Sequence, residues 1–397
     1  MPVLIDLACC VLALQSPPVA EHLVPIPLDG WGAAVTETTV PLPEGGAAEP
    51  GALVELARER ELRDERVVVV EPGRSVRLPL RGTGGPIRLR PGGTYECSWA
   101  CGTPAPGTRP AVDLAVRSVR DRRILWERPA TGTDPPEGRW RRDHARFTIP
   151  GDAGPSLLDG VEFHVRHAGS GTDALHLDNL VLAEVVPDGA GVRTLFDGRT
   201  LEGWIGSRGG EQEAFVVRDG AIHCNPGATF GSNLFTEDQY EDFVLHLEFR
   251  LPPGGNNGIA LRAPLEGDPA YAGLEAQVLD TIHPGYLTIK PWQTHGSIYG
   301  VAPARRGFHR PTGQWNRQTI RVAGRNVQVI LNGATILDVD LDLAVEAGTL
   351  SGREHPGLRR RTGHVGFCGH GDPVSFRNIR LLELAPTDRP LSDRTTP

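Results

Sequence analysis

The chain has 397 residues, a formal net charge of −8, and 49 Gly and 35 Pro. That length accommodates two ordinary domains, and the negative charge argues against a nucleic-acid partner. Abundant turn residues with little sustained helical periodicity point to an all-β protein built from two β-sandwich domains. The basic residues are Arg except for Lys290.

Residues 1–20, MPVLIDLACCVLALQSPPVA, read as a secretory signal. A short apolar run ends at a small-residue site near Ala20, with no preceding positive charge and an interruption at Asp6. Export to a secreted or periplasmic location is expected. The run is too short and interrupted for a membrane span, so none is expected in the mature chain. Residues 21–64 read as a linker with early elements, and ALVELARERELRDER is the best helical stretch.

Residues 65–187 form a series of short strands: RVVVVEP, SVRLPL, IRLR, TYECSWACG, AVDLAVRSV, ILWER, RFTIP, VEFHVRH and LHLDNLVLAEV. Gly, Pro and Asp turns separate them, which predicts a jelly-roll domain like a carbohydrate-binding module. Trp99, Trp126 and Trp140 are either sugar platforms or, more commonly for such residues, core. Cys97 and Cys101 are near enough in sequence to pair locally, and export implies that they are oxidised. Cys224 and Cys368 can pair only if the fold joins their strands. CSWAC lacks a second ligand pair and is no zinc motif.

PDGAGVRT (187–194) is the expected joint, and residues 193–384 the second domain. Its strands are AFVVRDGAIHC, NLFTE, FVLHLEFRL, the segments within 254–300, NRQTIRVAGRNVQVILNGATILDVD, GHVGFCGHG and VSFRNIRLLEL. Asp219-Gly220 and Asn332-Gly333 are hairpin dipeptides. FVLHLEFRL alternates so that Phe243, Leu245, Leu247, Phe249 and Leu251 point inward. Residues 385–397 read as a disordered tail.

The stretch Gly254–Gly300 concentrates polar chemistry among apolar residues. In GIALR, strict alternation places Gly258, Ala260 and Arg262 on one face. In GLEAQVLD, Glu275 and Gln277 share a face. In HGSIYG, read as a strand, His295, Ser297 and Tyr299 do so. The Asn256-Asn257-Gly258 segment reads as a turn in which Asn257 is the residue placed to touch a hydroxyl. Trp204 and Trp315 read as core anchors.

LFDGRTLEGW, FVVRDGAI, NNGIALR, GLEAQVLD, HGSIYG, GQWNRQTIRVAGRNVQVILNG and GHVGFCGHGDPVSFRNIRL occur in this order. Together they resemble the DUF1080 family, described as 3-keto-disaccharide hydrolases or 3-keto-glucoside-1,2-lyase/3-keto-2-hydroxy-glucal hydratases. The resemblance implies a concanavalin-A-like jelly roll with a sugar cleft on its concave sheet, acting on glycosides already oxidised at C3. Leu274 stands where the family commonly has an aromatic residue, and Cys368 where it commonly has Gln.

A 3-ketone acidifies the C2 proton. The route therefore needs a base near C2, a donor at the O3 oxyanion and an acid for the leaving oxygen. Glu275 and His370 are the candidate base and acid, with the assignment open, and Arg262 is the candidate oxyanion holder. Gln277, Asn257, Lys290, Trp292, His295, Tyr299 and Asp372 are candidate substrate contacts. Trp292 would stack on a sugar and Lys290 polarise the ketone. Glu275, Asp280, His370 and Asp372 are a candidate set for a divalent cation, without a sequence-local metal motif. Two alternatives use the same sandwich: a non-catalytic lectin, and a conventional glycosidase with two facing carboxylates.

Overall fold

The structure is a computed structural model. It describes residues 21–26, 47–48, 68–70, 72–73, 75–79, 81–82, 85–86, 89–102, 112–128, 140–154, 160–168, 175–207, 214–225, 232–281, 283–286 and 288–384. The expected signal, the helical stretch 52–66, the tail 385–397 and the side chain of Trp140 lie outside the described residues.

The first half contains β1 (Glu21–Ile26), β2 (Ala47–Ala48), β3 (Val68–Val70), β4 (Ser75–Pro79), β5 (Arg81–Gly82), β6 (Gly85–Pro86), β7 (Thr94–Gly102), β8 (Val112–Ser118), β9 (Ile124–Arg128), β10 (Trp140–Thr148), β11 (Val161–His167) and β12 (Leu175–Pro187). One sheet runs β1-β12-β7-β10 with β3 beside β12, the other β2-β4-β11-β8-β9. Period-2 alternation buries Tyr95, Cys97, Trp99 and Cys101 of β7 in the core shared with Leu114, Val116, Phe163 and Val165. Trp99 is thus a core residue, and Trp126 stacks on Phe147 at 4.9 Å.

Cys97, Cys101, Cys224 and Cys368 are all buried and form no disulfide among the described residues. This corrects the expectation of a Cys97–Cys101 bridge. Four residues of extended strand separate their Cα atoms by roughly 13 Å, about twice the span of a disulfide.

The second half contains β13 (Arg193–Thr194), β14 (Trp204–Gly206), β15 (Phe215–Arg218), β16 (Ala221–Cys224), β17 (Leu234–Tyr240), β18 (Phe243–Arg250), β19 (Asn256–Ala263), α1 (Pro269–Ala272), β20 (Leu274–Leu279), β21 (Trp315–Ala323), β22 (Asn326–Leu331), β23 (Ala334–Asp340), α2 (Leu341–Ala344), β24 (Gly363–Phe367) and β25 (Ser375–Glu383). The larger sheet runs β15-β16-β25-β18-β21-β22-β23, with β13 beside β25, and the smaller sheet runs β14-β17-β24-β19-β20. The chain is an all-β fold, and no strand is shared between the sheets of the two halves. Among the described residues no helix is long and apolar enough to cross a membrane.

Phe243, Leu245, Leu247 and Phe249 of β18 all enter the core between these two sheets, meeting Ile259, Leu261, Ala276 and Val278 from the smaller sheet. Each of these Phe, Leu, Ile and Val side chains contributes about 1.5–3 kcal/mol on burial. Trp204 anchors one end: its indole N–H donates to the Leu195 carbonyl at 2.7 Å and its ring stacks on Phe367. Trp315 is no core anchor. It is half-buried, and the guanidinium groups of Arg250 and Arg377 pack on its ring at 4.8 and 4.1 Å. Both hairpin dipeptides have two positive φ values, 51° and 72° at Asp219-Gly220 and 49° and 87° at Asn332-Gly333, as a type I′ turn requires.

The alternation expected for 254–300 breaks at three places. Asn256 and Asn257 belong to β19 rather than to a turn. At the other end of β19, a register shift against β24 lies between Ala260 and Ala263, and Arg262 takes φ 48°. This bulge sends Arg262 away from the face it would share with Gly258. HGSIYG is a turn segment, tied to β20 through an isolated bridge between Ala276 and Ile298. Consequently His295 and Ser297 are buried, whereas Tyr299 is half-exposed.

The two halves meet through polar and apolar contacts. Glu96 of β7 is buried and pairs with Arg310 and, at 3.4 Å, with Arg317. Asp188 pairs with Arg380. Gly333 sits against Ala183, such that a Cβ added there would lie 2.5 Å from the Ala183 Cβ.

Candidate active site

A cleft of about 620 Å³ lies on the smaller sheet. Asn256 of β19 and Glu275, Gln277 and Leu279 of β20 form its floor. Cys368, Gly369 and His370 follow β24 and line one flank, with Asn233 beside them. The opposite flank lies beyond β20 and carries Asp268, Tyr271, Tyr299 and Arg353. The order of strands sets this arrangement, because β24 and β20 are the two neighbours of β19.

Glu275 is 5 % exposed. Burial, with a smaller contribution from the charge of Asp268, pushes its carboxyl up to about 8. It is therefore mainly a neutral acid at pH 7. The Gln277 amide nitrogen faces Glu275 Oε1 at 3.2 Å and the Asn257 carbonyl at 2.9 Å. Glu275 lies across from Ala260 in the strand register, and its side chain leans over Gly258.

His370 is half-buried, and burial lowers its imidazole below the usual value, against the opposing pull of Asp372 and Asp268. Neutral imidazole is thus favoured where neutral carboxylic acid is favoured across the floor. The turn that carries it is held at several points. Cys368 N–H donates to the Gly258 carbonyl at 2.9 Å, and Gly369 N–H to Asn233 Oδ1 at 3.0 Å. The amides of His370 and Gly371 face the Cys224 sulfur. Asp372 accepts from Asn256 N–H at 3.0 Å, so it braces this turn against β19 and is not among the cleft-lining side chains.

Of the expected site residues, Glu275, His370, Gln277 and Tyr299 come together in the cleft. Arg262 does not. Its guanidinium is 2 % exposed and enclosed by Asp242 Oδ1 at 2.8 Å, the Glu241 carbonyl at 2.7 Å and the Gly324 carbonyl at 2.9 Å. It is a buried structural ion pair. Asn257 points into the core, with Oδ1 accepting from Gly258 N–H and Nδ2 lacking a partner among the described residues. Asn256 takes the cleft position instead.

His295 lies beneath the floor. Its Nδ1 accepts from Leu279 N–H at 3.3 Å, and its Nε2 donates to Gln318 Oε1 at 2.8 Å. Burial brings its pKa down to about 3, so it is a neutral clamp between the two sheets. Lys290 is exposed at the head of a short 3₁₀ turn, outside the cleft lining. Trp292 packs edge-on against Tyr299 at 5.0 Å and stands behind it. Asp280 accepts from Gly254 N–H. Among the described residues no three His, Cys, Asp or Glu side chains are grouped to hold a metal ion, so Glu275, Asp280, His370 and Asp372 do not form a ligand set.

Sequence reasoning missed Asp268, Tyr271, Arg353 and Asn233. Asp268-Pro269 is a readable helix start: Asp268 caps α1 by accepting from Ala270 N–H at 3.1 Å, and Pro269 takes the first turn. Arg353 has no comparable signal, since it lies in an Arg-rich loop where each Arg looks alike.

Three comparisons bear on kinship. The chain is 29 % identical over 246 residues to the 3-keto-disaccharide hydrolase of Bacteroides thetaiotaomicron, covering 53 % of this chain and 83 % of that one. A provisionally named glycosyl hydrolase of Parabacteroides distasonis is 24 % identical, covers 49 % of this chain and 94 % of its own, and has a TM-score of 0.44. A second from the same organism is 26 % identical, covers 49 % and 99 %, and has a TM-score of 0.41. A family model matches over residues 191–382. That model describes a 3-keto-alpha-glucoside-1,2-lyase-like domain, and the segment it matches holds the whole cleft.

Proposed function

We propose that this domain degrades glycosides oxidised at C3, by elimination across C1–C2 followed by hydration. The observation that carries the reading is the pairing of a buried acid, Glu275, with a half-buried base, His370, whose pKa values are displaced in opposite directions. Such a pair holds acid and base in their working forms at neutral pH. The kinship with a 3-keto-disaccharide hydrolase supplies the substrate class.

His370 removes the C2 proton, and the C2–H electrons move into the enolate of the 3-ketone. The enolate then expels the C1 substituent, and Glu275 protonates the departing oxygen. Water adds at C1 of the resulting 2-hydroxy-glycal, and a proton returns to C2. With Arg262 outside the cleft, O3 is met by neutral donors. Asn233 is one such group: Gly369 N–H occupies its Oδ1, which leaves its NH₂ as donor on the His370 flank. The sugar is expected in a secreted or periplasmic compartment, the location that a signal at residues 1–20 would imply.

A second reading is favoured by one observation. Asp268 lines the same cleft as Glu275 and acts on it electrostatically, so a two-carboxylate glycosidase has both of its groups. Turnover in heavy water separates the two. Elimination places deuterium at C2 of the released 3-keto sugar and leaves the unoxidised glycoside intact. Early product without C2 deuterium, together with cleavage of the plain glycoside, would reverse the choice.

A further inference from the structure

Resting on that reading, we infer that Tyr271 and Arg353 form the subsite for the leaving group, and that Arg353 selects leaving sugars that carry a carboxylate. The placement follows from the floor. His370 must face C2 of the oxidised ring, and Glu275 the oxygen leaving C1. The leaving group then extends to the side of Glu275 away from His370. Tyr299 lies on that side, with its N–H donating to the Glu275 carbonyl at 2.9 Å. Tyr271 stands edge-on to Tyr299 at 6.2 Å. The guanidinium of Arg353 lies 3.7 Å above the Tyr271 ring, and both residues line the cleft.

Stacking fixes the plane of this guanidinium and leaves the N–H groups at its edge to ligand. Arg310, Arg325, Arg377 and Arg380 of the same half each pair with a carboxylate. Arg353 has no such partner among the described residues. Asp268, on the same flank, spends Oδ1 on capping α1. A pair of hydroxyls would satisfy the N–H groups of Arg353 but not its charge. A carboxylate satisfies both in a two-point contact.

Binding of free leaving sugars tests this without turnover, so its outcome stands apart from whether the enzyme cleaves 3-keto-glycosides. D-glucuronate and D-glucose are titrated into the full chain and followed by saturation-transfer NMR. Glucuronate is expected to bind about tenfold more tightly, a modest return for a partly solvated charge-assisted contact. Arg353→Met removes the preference, and Arg353→Lys, which keeps the charge but loses the planar fork, retains part of it. Arg353 is exposed in a turn, so both variants are expected to fold. Equal binding of the two sugars, or a preference that survives in Arg353→Met, overturns the inference.

Discussion

The side chain of Glu275 occupies the space that a side chain on Gly258 would need. A Cβ at position 258 would overlap Glu275 Oε1 and lie 2.7 Å from its Cγ. The glycine on β19 is therefore part of the acid's pocket. Gly258→Ala is expected to displace the carboxyl and lower kcat on the order of 10²-fold. Combining it with Glu275→Ala should recover much of any stability lost, because the clash disappears. A melting series of the two single variants and the double variant reads that coupling; strict additivity would mean that the two side chains do not compete.

The opposed protonation preferences set a bell-shaped profile for kcat/KM. Its acid limb lies below the usual histidine value of 6.5, where His370 gains a proton, and its alkaline limb lies near 8, where Glu275 loses one. Glu275→Gln should lower the rate by roughly 10²–10⁴-fold and abolish the alkaline limb in the residual activity. His370→Ala should remove the acid limb. A rate that keeps rising through pH 9 in the native protein would contradict Glu275 as acid.

The same carboxyl links pH to stability. Its folded value lies above the ordinary 4.5, so its contribution is fully present below 4.5 and is lost as pH rises through about 8. Glu275→Gln should accordingly raise the melting temperature relative to the native chain at pH 9, and do so far less at pH 5. Differential scanning calorimetry at the two pH values provides the comparison.

His295 has the opposite sign. Its folded value falls to about 3, so the stability it provides is present above the ordinary 6.5 and is lost as pH falls toward 3. His295→Leu strands the Leu279 N–H and the Gln318 amide, at about 1–3 kcal/mol for each buried unsatisfied group. Urea midpoints should drop at pH 7, and their dependence on pH between 6.5 and 3 should flatten.

Arg262 and Asp242 form an ion pair with side chains 2 % and 3 % exposed. Arg262→Met leaves Asp242 buried without its partner and should cost about 3–5 kcal/mol of folding stability. KM for substrate should change little in the folded fraction. A large fall in kcat with an unchanged urea midpoint would instead return Arg262 to the reaction.

The strands were legible because their burial is periodic. β18 shows this, since an outward set and an inward set follow from counting by two. Glu275 and Gln277 were legible for the same reason, being two positions apart on one regular strand. The errors fell where the period fails. One bulge reverses Arg262, a strand that starts two residues early puts Asn256 rather than Asn257 in the cleft, and a turn in place of a strand buries His295. Arg353 and Tyr271 were beyond reach for a different reason: one lies in a turn and the other in α1, and only tertiary packing brings them together.

The Asn332-Gly333 turn answers to two requirements at once. Its φ of 87° reverses the chain between β22 and β23, and its bare Cα admits Ala183 of the other half. It is a fulcrum as well as a hairpin. Enlarging residue 333 would strain the reversal and wedge the sandwiches apart in the same step. The atom missing from this turn thus lets the cleft-bearing sandwich approach Ala183 of its neighbour more closely than a side chain at 333 would allow.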